Sequence, residues 1–276
     1  MMEGNARFYF REGTGRPLVF IHSFNAAASS FEMKPLFESA ADLTRRPLFA
    51  LDWLGFGLSD RPDIRYRPEL FQRQLRRFMN EHVPGAADVI ALSLGGEYAA
   101  TLALTAPFHF NRLVLLSPTS LGAKPNSSSL RYFLVHGTAA TGGFELFFYR
   151  LAQRDRIRSF YERQVFLTPD DVPDELVDYA HLTANVKGAH RAPRYFVAGD
   201  LFLDEVARNA YAKVTVPTLM VIPEKPESTV QRFERVKHTQ ARNQQYLHAK
   251  RLRSGLMPQW DALDRLQPLL TDFLSK

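Results

Sequence analysis

The sequence contains no cysteine. Disulfides, thiolate metal sites and a cysteine nucleophile are therefore excluded. No apolar run approaches the roughly 18 residues that a bilayer-spanning helix requires. The opening stretch Met1-Met2-Glu3-Gly4-Asn5-Ala6-Arg7 lacks the charged run followed by an apolar stretch that marks a secretory leader. A soluble, cytoplasmic protein is expected. Long polar tracts, repeats and low-complexity segments are also missing, so 276 residues read as one core domain with an insertion. A chain of this length can bury a large core without disulfides or metal. Nothing matches a nucleic-acid-binding module. No cofactor, metal or nucleic acid is expected as a partner.

Charge of one sign is also scarce: 35 basic against 29 acidic residues leave a net +6. Much of the excess sits in Arg150, Arg154, Arg156, Arg158 and Arg163. These read either as a solvated helix face or as a basic surface for weak contact with a membrane or an acidic protein.

What is present is alternation. Short apolar runs are separated by longer amphipathic stretches, which predicts an α/β fold with a mostly parallel central sheet flanked by helices. Strands are expected at Arg7–Arg11, Pro17–His22, Pro47–Asp52, Asp88–Leu92, Arg112–Leu116, Thr218–Ile222 and Gln245–Ala249. The run Leu18-Val19-Phe20-Ile21 is apolar throughout, as a strand buried on both faces requires. Helices are expected over Pro68–Val83, from Ser93 to about Ala106, over Ser228–Arg242, and in a last stretch from Trp260 to Phe273. Between Ser117 and about Tyr211 the alternation stops and aromatics accumulate (Phe144, Phe147, Phe148, Phe160, Tyr161, Phe166). The predicted organisation is a core of residues 1–120 and 212–276 with a helical lid over 121–211.

One turn carries chemistry. Ala91-Leu92-Ser93-Leu94-Gly95 stands between a strand and a helix, where a nucleophile elbow would lift a hydroxyl clear of the backbone. Strand and helix pass close together at such a turn, and Ala91, Gly95 and Gly96 are small enough to permit it. The helix N-terminus favours developing negative charge, with the Leu94 N–H as one donor. A serine N-cap before an ordinary helix would leave the same residues.

With two further segments the chain resembles the lid-bearing α/β-hydrolase superfamily of esterases, epoxide hydrolases, haloalkane dehalogenases and C–C bond hydrolases. Ile21-His22-Ser23-Phe24 is similar to that family's strand-end His-Gly-Phe, with serine in place of glycine. Asp52-Trp53-Leu54-Gly55-Phe56-Gly57-Leu58-Ser59-Asp60-Arg61-Pro62 is similar to its D-x-x-G-x-G-x-S-x-x-P loop. The resemblance implies Ser93 as nucleophile, the Phe24 and Leu94 amides as oxyanion hole, and a loop-supporting role for His22. It covers the sheet on both sides of the lid.

The rest of the family's triad is missing. Its acid position after Thr218–Ile222 falls on Pro226, flanked by Glu224 and Glu227, either of which would serve only if the loop were rebuilt. Its histidine position in Gly255-Leu256-Met257-Pro258-Gln259-Trp260-Asp261 falls on Leu256. No spacing selects another base from His82, His109, His136, His181, His190, His238 or His248. Losing a triad base costs about 10⁴–10⁶ in rate, although the oxyanion hole retains roughly 10³–10⁴ over water. The expected function is a weak or absent serine hydrolase with an apolar small-molecule pocket. An esterase using a relocated base, a non-catalytic binding module and a lyase remain alternatives.

Overall fold

The computed structural model describes residues 4–121, 135–138, 142–224 and 233–275. Seven strands form one sheet: β1 (Phe8–Arg11), β2 (Leu18–Ile21), β3 (Leu48–Leu51), β4 (Ala87–Leu92), β5 (Phe110–Leu116), β6 (Thr218–Pro223) and β7 (Leu247–Leu252). Their order is β1-β3-β2-β4-β5-β6-β7. Only β1 runs antiparallel, against β3. All other neighbours pair in parallel.

The two-residue period of a strand divides the core into two layers. Val19, Ile21, Val89, Ala91, Leu113 and Leu115 point to one face. Leu18, Phe20, Ile90, Leu92, Val114 and Leu116 point to the other. Each face is covered by helices. Helices α2 (Pro68–His82) and α3 (Gly95–Thr105) place Phe71, Leu75, Phe78 and Tyr98 in the first layer. Helices α1 (Lys34–Leu43) and α9 (Leu263–Leu274) place Leu36, Leu266 and Leu270 in the second.

Between β5 and β6 the described chain includes the helices α4 (Gly143–Leu151), α5 (Arg154–Phe160), α6 (Asp174–Ala184) and α7 (Arg191–Ala198). From this stretch Ile157, Tyr161, Val165 and Phe166 join the α1/α9 layer. Phe144, Phe148 and Ala152 form a separate cluster with Ala184, Ala189 and Ala198.

Some boundaries differ from the sequence reading. Helix α1 lies outside the expected elements; it buries only Leu36 fully, with Phe37, Ala40 and Ala41 partly buried against the same layer. Strand β7 extends to Leu252. Among the described residues the helix expected from Ser228 is α8 (Val236–Arg242). Trp260 belongs to a separate turn of helix, Pro258–Asp261, and the backbone breaks at Ala262 before α9 begins.

Candidate active site

Strands β2 and β4 are neighbours, but their chains leave toward opposite sides of the sheet, to β3 and to β5. Such a reversal opens a crevice at the carboxyl ends of the two strands. Ser93 follows the end of β4, and Ser23 and Phe24 follow the end of β2.

The turn at Ser93 has elbow geometry. Its φ is 52°, in the left-handed region that non-glycine residues seldom adopt. The Ser93 amide still donates to Leu116 O at 2.8 Å, so the strand continues up to the serine. Gly96 N–H donates to Ser93 O at 3.0 Å, so the helix begins immediately after it. Gly95 has no room for a side chain, since a Cβ would lie 2.3 Å from the His22 carbonyl oxygen. At Gly96 a Cβ would meet a Leu115 methyl at 3.1 Å. Two chain segments must pass within backbone contact for the serine to stand at the crevice, and the small residues allow it.

Ser93 is half-buried, and its hydroxyl has no hydrogen-bond partner among the described residues. Neither the Phe24 nor the Leu94 N–H is taken by another group of the described chain. His22 is fixed away from the crevice. Its Nδ1 lies 2.7 Å from Ser23 O, and its Nε2 accepts from Trp53 N–H at 3.1 Å. Burial lowers its pKa to about 4, with Asp52 partly opposing. The ring is therefore neutral and acts as a brace between two loops.

A pocket of about 210 Å³ opens in front of Ser93. Phe24, Leu92, Phe160, Val165, Phe196, Leu256 and Met257 supply apolar walls, and Ser23, Asn25, Glu32, Tyr161 and Gln164 supply polar ones. None of the eight histidines lines it. Leu256 does, and it is almost completely buried. Its segment is firmly tied. Leu256 N–H donates to Val165 O at 2.7 Å, and the Asp261 carboxylate accepts from the Gly255 amide at 2.6 Å and the Leu167 amide at 3.0 Å. A Cβ on Gly255 would lie 2.2 Å from Val165 O, which fixes that position as glycine. Glu224 follows β6 as an exposed residue outside the pocket. Pro226 and Glu227 lie outside the described residues.

The sequence reading passed over Glu32. This residue sits in a short 3-10 turn, Ser30–Met33, and is only 2% exposed. Its Oε2 accepts from Ser23 N–H at 2.9 Å, and its Oε1 accepts from Ser23 Oγ at 2.9 Å and Asn25 Nδ2 at 2.7 Å. Its backbone carbonyl accepts from Gln259 Nε2 at 3.0 Å and Trp260 Nε1 at 2.8 Å. Burial raises the carboxyl pKa to about 7, against the hydrogen bonds from Ser23 and Asn25, and the nearby Asp52 charge adds to the rise. No sequence signal marks it, because the groups that hold its backbone carbonyl come from the far end of the chain.

A model of the alpha/beta hydrolase family matches residues 18–266. The human 1-acylglycerol-3-phosphate O-acyltransferase ABHD5 is 32% identical over 115 residues, which are 40% of this chain and 32% of that protein. The 2-hydroxymuconate semialdehyde hydrolase of Pseudomonas sp. (strain CF600) is 26% identical over 181 residues, 65% of this chain and 58% of that protein. The chain thus spans less than two thirds of the length of these curated relatives. Among solved structures, an esterase (EaEST) from Exiguobacterium antarcticum superposes with a TM-score of 0.75 at 16% identity, covering 99% of this chain and 96% of its own.

Proposed function

The chain belongs to the alpha/beta hydrolase family, and on that premise we propose that its Ser93 pocket binds a small, largely apolar ester-like molecule and turns it over slowly or not at all. The observation that carries this reading is the aliphatic wall at Leu256, with no histidine among the pocket residues. A ligand carbonyl would rest on the Phe24 and Leu94 amides, and one such donor is worth about 3–4 kcal/mol to a developing oxyanion. Without an imidazole, the Ser93 hydroxyl is a poor nucleophile at neutral pH. Binding is thereby retained while the usual mechanism is crippled.

The pocket volume lies below the roughly 300–1,000 Å³ typical of drug-sized ligands, which favours a short acyl or alkyl chain. The helices α4 to α7 serve as a lid in this reading, with Phe160, Tyr161 and Val165 from this stretch on the pocket wall. Its arginines fit a solvated helix face better than a membrane-binding one. Arg154 bonds Asp174 and Asp178 at 2.6 Å each, and Arg158 also bonds Asp174.

The test uses short-chain esters and their non-hydrolysable ketone or amide analogues. Saturable binding of the analogues, with ester turnover far below that of a triad esterase, is the expected result. Fast, Ser93-dependent turnover, or failure to bind any of them, would overturn the reading.

A further inference from the structure

Ser93 is not the only reactive group on the pocket wall. Glu32 lines the same cavity of about 210 Å³. Ser93 and Glu32 line one cavity with room for water, and a water between them would carry a proton from one to the other. We propose that Glu32 is the proton acceptor of this pocket, taking the hydroxyl proton of Ser93 as Ser93 attacks an ester carbonyl. The inference rests on the reading of the Ser93 pocket given above.

Three observations support it. First, Glu32 is held in one orientation by Ser23 N–H, Ser23 Oγ and Asn25 Nδ2. An ionised carboxylate has about four acceptor sites. Oε2 receives one donor only, which leaves capacity for an incoming proton. Second, no cation pairs with it among the described residues. The titratable groups facing it are Asp52, at the end of β3, and Tyr161, from the segment after α5. His22, beside Asp52, is neutral near pH 7. Third, these surroundings raise its pKa to about 7, where a general base is both sufficiently ionised and sufficiently basic. An ordinary surface glutamate would be a far weaker base.

The chemistry balances without a further reactant. Ser93 Oγ bonds the carbonyl carbon while its proton passes to the Glu32 carboxylate. The oxyanion collapses, the ester C–O bond breaks, and the leaving alcohol takes the proton from Glu32. Water then attacks the acyl-serine and gives a proton to Glu32. The acyl–Oγ bond breaks and Ser93 recovers its proton, so that ester and water have become acid and alcohol.

The experiment measures labelling of Ser93 by a short-chain alkyl fluorophosphonate in the full-length protein between pH 5.5 and 9. Wild type, Ser93→Ala, Glu32→Gln and Glu32→Asp are compared. In wild type the rate should rise close to tenfold per pH unit below about 7 and then level off. Glu32→Gln should label at least about 100-fold more slowly and lose the pH limb. Glu32→Asp should keep part of both, and Ser93→Ala should not label. Equal rates and equal pH profiles in wild type and Glu32→Gln would overturn the role of Glu32. So would a wild-type protein that never labels, although retained ligand binding would then leave the pocket reading intact. Should Glu32→Gln fail to fold, a flat wild-type pH profile is enough to overturn the proposal.

Discussion

Replacing Glu32 by glutamine should change how stability depends on pH, by an amount the burial of this carboxyl sets. Its pKa is about 7 in the folded protein and about 4.5 when exposed to water. Below pH 4.5 the group is protonated in both states and contributes no slope. Between 4.5 and 7 the unfolded chain ionises while the folded one still holds its proton, so stability falls as pH rises. The gap of about 2.5 pH units, at about 1.4 kcal/mol each, amounts to about 3 kcal/mol lost by pH 7 and above. His22 acts in the opposite sense. Its folded pKa of about 4 lies below the ordinary 6.5, so its contribution is lost as pH falls from 6.5 toward 4. In wild type the two slopes offset each other between about 4.5 and 6.5. Glutamine removes one of them. It also turns an amide toward the Ser23 hydroxyl or the Asn25 amide, a cost that does not vary with pH. The informative quantity is therefore the difference in unfolding free energy between variant and wild type, measured by urea titration at pH 4.5, 5.5, 6.5, 7.5 and 8.5. That difference should move in favour of the variant by about 3 kcal/mol from the lowest to the highest pH. A difference constant across the series would refute the claim that Glu32 is desolvated in the folded state.

Other outcomes follow from single contacts. Gly95→Ala would place a Cβ 2.3 Å from the His22 carbonyl oxygen and should destabilise by about 1–3 kcal/mol, seen as a lower urea midpoint at unchanged slope. Asp261→Ala leaves the Gly255 and Leu167 amides without their acceptor and should cost about 2–3 kcal/mol, with faster amide hydrogen exchange at both positions. Leu256→His puts an imidazole on the pocket wall beside Ser93. It should accelerate fluorophosphonate labelling at least about tenfold, and no acceleration in a folded variant would show that the position does not reach Ser93.

Much of the fold and part of the site were legible in the sequence because the reasons are local. A strand covered on both faces is expected to be apolar throughout, and Leu18–Ile21 and Val89–Leu92 are both apolar and buried. An elbow where strand, serine and helix crowd together must have small residues, and Ala91, Gly95 and Gly96 stood out on that ground. The aliphatic character of Leu256 excludes an imidazole at that point whatever surrounds it. Tertiary structure alone decided that Glu32 belongs to the site. Lodged between Phe31 and Met33, in a segment to which the sequence assigns no element, it has the sequence character of a solvated glutamate. What buries it arrives from far along the chain: Gln259, bonded to its carbonyl, is 227 residues away, and Tyr161 comes from the segment between β5 and β6. A carboxyl's proton affinity depends on the water it has lost and the donors it has gained. Neither is fixed by neighbours in sequence, so the chain could declare the aliphatic residue at position 256 in advance but not the buried acid at position 32.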